Sequence, residues 1–140
     1  MTKSYIAALA LVASVVTAPA WAAMVDYTAT MSGASEVPAK TTGGTATMLG
    51  TLDTATKMLT YTITYGGLSG PVTAVHIHAP AAVGANAGVA VPFAPAPSPI
   101  KGTVALTDAQ IKDLDTGMAY ANIHTAANPA GEIRGQIAKK

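Results

Sequence analysis

Beyond about residue 23 the chain alternates apolar and polar positions with period two, and Gly or Pro interrupts it every ten residues or so. That periodicity, carried by Thr, Val, Ile and Tyr, predicts short β-strands separated by turns. The clearest strand is Leu59-Thr60-Tyr61-Thr62-Ile63-Thr64-Tyr65, whose odd positions should face a core and whose threonines should face water. Residues 44–52 are its expected hairpin partner, with Asp53-Thr54-Ala55-Thr56-Lys57 as the turn, and Gly66-Gly67 ends the strand. One helix is expected at about 107–116. Thr107 and Gln110 have capping-box spacing, Leu106 and Ile111 occupy the hydrophobic-staple positions, and Gly117 stands where a helix should stop. Residues 79–99 are rich in Ala, Pro and Gly. They predict a short edge strand at 88–93 followed by an extended loop, because Pro92, Pro95, Pro97 and Pro99 interrupt any ladder. Glu132-Ile133-Arg134-Gly135-Gln136-Ile137 alternates again and reads as the last strand, with Ile133 and Ile137 inward. The fold class is therefore all-β, a Greek-key antiparallel β-sandwich or partly closed barrel with one short helix.

Residues 1–22 do not belong to that pattern. Lys3, the uncharged apolar run 5–16 and the small-x-small Ala20-Trp21-Ala22 have the form of a cleaved leader peptide. The run is about 12 residues, short of the roughly 20 that span a bilayer. The expectation is a periplasmic or secreted domain over 23–140 with no membrane span in its mature form. Without Lys3, seven basic residues balance seven acidic ones, so no basic surface for nucleic acid is indicated. Cysteine is absent, which excludes disulfides and thiolate ligands.

Candidate chemistry lies in the three histidines. In Val75-His76-Ile77-His78 both imidazoles share one face, opposite Val75 and Ile77. In Tyr120-Ala121-Asn122-Ile123-His124 the face of His124 also carries Tyr120 and Asn122. A lone histidine on a sheet is most simply a hydrogen-bonding residue, whereas three converging from adjacent strands form a metal site. For an all-imidazole set, copper stands highest in divalent affinity and zinc is the runner-up. Four residues are expected to support the site. Arg134 and Glu132 share a strand face and form either a solvated ion pair or an anion-attracting arginine beside an imidazole-orienting carboxylate. Asn122 could buttress the site, and alternation places Met118 on the His124 face. Glu36 is expected to fix a turn through backbone hydrogen bonds.

Met31-Ser32-Gly33-Ala34-Ser35-Glu36-Val37-Pro38, Ala74-Val75-His76-Ile77-His78, Tyr120-Ala121-Asn122-Ile123-His124-Thr125 and Asn128-Pro129-Ala130-Gly131-Glu132-Ile133-Arg134-Gly135-Gln136-Ile137 together resemble the CHRD domain, named for chordin, over about 25–137. The resemblance implies an all-β domain of a kind found in exported bacterial proteins and in an extracellular growth-factor-binding protein of animals. A weaker resemblance is to the copper site of the copper/zinc superoxide dismutases, also Greek-key barrels. The order His-x-His, later histidine, C-terminal arginine is matched by His76, His78, His124 and Arg134, but the bridging histidine, the zinc ligands and the disulfide cysteines are missing. Three functional readings follow. The leading one is a protein that binds a copper-like ion for buffering, carriage or modest redox chemistry. The second is a metal-free module whose sheet or proline-rich loop recognises an extracellular or periplasmic protein or a surface polymer. The third is a superoxide-consuming, copper-dependent enzyme.

Overall fold

Alternation becomes register in strands β1 (Met24–Ser32), β2 (Thr45–Asp53) and β3 (Met58–Gly66), which form a meander. Ala46, Met48 and Leu52 are buried on β2 and Leu59, Tyr61 and Ile63 on β3, while the threonines between them line the other face. The computed structural model describes residues 22–140; apart from Ala22, the leader expected at 1–22 lies outside the described residues. The remaining elements are β4 (Val72–His78), β5 (Val89–Phe93), β6 (Ile100–Ala105), α1 (Asp108–Asp115), β7 (Tyr120–Thr125), β8 (Ile133–Gln136) and β9 (Ala138–Lys139). Among the described residues no helix is long and apolar enough to cross a membrane.

The strands form one antiparallel sheet in the order β5-β4-β7-β8-β1-β2-β3-β6, with β9 pairing β1. It curls into a half-barrel, the partly closed form of the expected architecture. Phe93 of edge strand β5 stacks on Tyr61 of β3, their ring centroids 4.1 Å apart, so distant parts of the sheet meet over a shared core. The seam between β8 and β1 is tight: a Cβ on Gly135 would come within 2.1 Å of the Thr30 carbonyl oxygen, so only glycine fits there. Three strands go beyond the sequence reading: β1 at the start, β6, which continues directly from the proline-rich loop, and β9, which extends the chain past the expected last strand.

Helix α1 forms as its caps dictate. Thr107 Oγ1 accepts from the Gln110 backbone N–H, the Gln110 side chain accepts from the Thr107 N–H, and Gly117 takes φ +68° beyond the last turn. Gln110 also donates to the Ala90 carbonyl, tying the helix to β5. Thr107→Ala is expected to lower stability by about 1 kcal/mol, read as a shift in the urea midpoint at unchanged slope.

Candidate metal centre

Strands β4 and β7 lie side by side and antiparallel, so the two histidine segments are neighbours. His76 faces Asn122 across the pair and His124 faces Ala74, which makes His76 and His124 diagonal neighbours. The small Ala74 leaves room for the two rings to meet, at a diagonal spacing that long side chains span readily. His78 shares the face of His76 by strand alternation and pairs with Tyr120 of β7 in unbroken register, while on its other side the β4/β5 ladder shifts so that His78 pairs with Val89. Val75, Ile77, Ala121 and Ile123 on the opposite face are core residues, which fixes the direction of all three imidazoles.

One potential ligand nitrogen from each of His76, His78 and His124 lies within 4.8 Å of the other two. Backbone carbonyls set two of the tautomers. His78 Nδ1–H donates to the Ala87 carbonyl at 2.9 Å, and His124 Nδ1–H to the Pro129 carbonyl at 3.0 Å. A carbonyl only accepts, so each ring carries a proton on Nδ1, and the neutral form of either presents its lone pair on Nε2. His76 Nδ1 is 3.2 Å from His124 Nε2, a contact in which the neutral form of His124 accepts and His76 donates. His78 Nε2 is buried and has no hydrogen-bond partner. Burial lowers the His76 pKa, and charge on His124 and His78 lowers it further. Burial likewise dominates the lowering at His78, helped by His124 and Arg134 against the opposing Ala87 bond and Glu36. Both rings are therefore neutral near pH 7, the form in which imidazole ligates metal.

The four supporting residues fall differently. Arg134 does not pair with Glu132 and is not free to attract an anion. Its Nε donates to Glu36 Oε2 at 3.0 Å, Nη1 to the Ala85 carbonyl at 3.0 Å, and Nη2 to Asn86 Oδ1, while the guanidinium lies 4.2 Å over the Tyr120 ring. The arginine that the dismutase comparison would set free beside a metal thus has each of its three nitrogens hydrogen-bonded within the fold. Glu132 touches no imidazole; its carboxylate accepts from the Thr42, Ser69 and Thr125 hydroxyls and the Ser69 N–H. Asn122 contacts no imidazole either, and donates to Glu36 and to the Ile133 carbonyl. Met118 precedes β7, which starts at Tyr120, so strand alternation does not extend to it.

Glu36, expected to bind backbone, instead joins Asn122 and Arg134 on the outer face of the histidine sheet. Tyr120 was expected only to share that face, yet its ring stacks on His78 at 4.9 Å and 3°. Its hydroxyl accepts from the Ala87 N–H at 3.3 Å. With these contacts, residues 33–40 and 79–88 roof the sheet and bury His78 to 8% exposure. Gly131, at φ +122°, makes room for this network: a Cβ there would lie 2.9 Å from both the Asn122 amide and the Glu36 carboxylate.

The family model described as the CHRD domain matches residues 27–137, most of the chain. No curated protein and no solved structure matches it.

Proposed function

The chain belongs to the CHRD domain family, a membership that fixes its fold and leaves its task to the site, and from it we propose an exported metal-binding protein in which His76, His78 and His124 hold one divalent ion. Copper is the preferred ion and zinc the next, because an uncharged three-imidazole set has no carboxylate or thiolate to favour calcium, magnesium or soft ions. The observation that carries this reading is the His78 Nε2 lone pair, buried without a partner and close to two other imidazoles. Such a group is costly to bury unless something satisfies it. The carbonyls of Ala87 and Pro129 act on the far nitrogens as the orienting partners that metal-bound histidines usually have. A bound ion would supply positive charge and, with three protein ligands, a coordination position left for water or an exchanging ligand. That suits buffering or carriage of the ion in the periplasm or outside the cell.

Protein without a histidine tag should take up one equivalent of Cu²⁺ or Zn²⁺, measured by calorimetry and elemental analysis. His76→Ala and His124→Ala should each weaken binding by about 100-fold or more. No stoichiometric uptake by the wild type, or full uptake by the double variant, would overturn the proposal.

A further inference from the structure

The 79–88 loop is held to the half-barrel at Ala81, whose N–H donates to the Met118 carbonyl and whose carbonyl accepts from Gln136, and farther along by side chains. Arg134 takes the Ala85 carbonyl and the Asn86 side chain, Asn86 Nδ2 donates to the Val37 carbonyl at 3.2 Å, and the Tyr120 hydroxyl receives the Ala87 N–H. The Ala87 carbonyl is different. Its short contact is the 2.9 Å bond from His78 Nδ1, with the Tyr120 hydroxyl at 3.5 Å as its other neighbour. His78 is also where the β4/β5 ladder shifts register, pairing with Val89, the first residue of edge strand β5. One imidazole thus presents Nε2 to the centre and uses Nδ1 to hold the point where the loop becomes a strand.

Resting on the metal-binding reading above, we infer that His78 is a metal-controlled latch for the 79–88 loop: ligation at its Nε2 tightens its Nδ1–H bond to the Ala87 carbonyl and so sets how firmly the loop and the start of β5 are held. The physical link is electronic. A cation on one imidazole nitrogen makes the N–H on the other a stronger donor, and charge-assisted hydrogen bonds are about twice as strong as neutral ones. Among the three imidazoles that of His78 is the one hydrogen-bonded to this loop: His124 bonds the Pro129 carbonyl instead, and Tyr120, which also reaches Ala87, offers no ligand nitrogen through which an ion could act.

Amide hydrogen exchange followed by mass spectrometry tests the latch on wild-type protein with and without one equivalent of Zn²⁺, with uptake verified in the same sample. Exchange in peptides covering 82–89 should slow by roughly fivefold on metal addition, while 45–66 of the distant hairpin should be unchanged. His78→Ala should speed exchange at 82–89 even without metal. His124→Ala, which leaves the His78–Ala87 bond intact, should match the metal-free wild type and respond to one equivalent of zinc far less than the wild type does. Uptake with no slowing at 82–89, or slowing spread equally over 45–66, overturns the latch alone. No uptake by the wild type overturns the metal reading and the latch with it.

Discussion

Replacing Glu36 with alanine is expected to destabilise the fold by about 3–5 kcal/mol, the cost typical of removing one partner from a buried ion pair. The side chains of Arg134 and Glu36 are 8% and 4% exposed, so neither charge can turn to water when the other is removed. Truncation would leave the guanidinium with only the neutral acceptors Ala85 O and Asn86 Oδ1, and would free the Asn122 amide from its carboxylate. A double-mutant cycle by urea denaturation separates the pair from its surroundings. With Arg134→Met as the second variant, the double replacement should be less destabilising than the sum of the singles by about 2 kcal/mol or more, since it leaves no lone charge. Recovery should be incomplete, because the Ala85 carbonyl loses its donor and the Asn122 amide keeps only the Ile133 carbonyl. The roof over His78 should loosen in all three variants, so metal affinity should fall although no ligand has been changed. Additive losses would show that the two charges are not coupled.

How much of this could be read from the sequence depends on the range of the interaction. The period-two strands, the capped helix and the shared face of the two histidine segments are consequences of local sequence, through alternation or capping, and all three are found. Strand β6 escaped because prolines precede it and its central inward position is Gly102, which supplies no apolar marker. Tyr61 lies directly opposite, and a Cβ on Gly102 would be 2.5 Å from its hydroxyl, so the tyrosine ring fills the core that the glycine leaves. The partners of Arg134 were misjudged for a different reason. Glu132 shares its strand face and is the obvious local choice, yet the ion pair forms with Glu36, 98 residues away, because β8 packs against β1 and not because of any spacing. The roof was equally illegible, since the carbonyls of Ala87 and Pro129 that set the imidazole tautomers have no side-chain signature at all.

The carboxylate of Glu132 gives the second large effect, and a pH signature with it. Burial pushes its carboxyl pKa up, but donation from Thr125, Thr42 and Ser69, including the Ser69 backbone N–H, outweighs this and brings it to about 2 from the ordinary 4.5. A folded-state pKa below the unfolded one means that stability is fully present above about pH 4.5 and is lost as pH falls toward about 2. The shift corresponds to about 3 kcal/mol across that window. Glu132→Gln should lose a similar amount at pH 7. The amide supplies one acceptor oxygen where four donors converge, and its NH2 would face hydroxyls that now donate to the carboxylate. Urea midpoints measured from pH 7 to pH 2 should fall more steeply for the wild type than for the variant below pH 4.5, and the two curves should converge in acid. Parallel curves would mean that the carboxylate titrates as it does in the unfolded chain. The consequence for function is geometric. Thr125 follows His124 directly, and Ser69 stands just before β4, so one ionised carboxylate pins the ends of both strands that carry the imidazoles. Metal affinity at pH 7 should therefore drop in Glu132→Gln even though residue 132 touches no histidine.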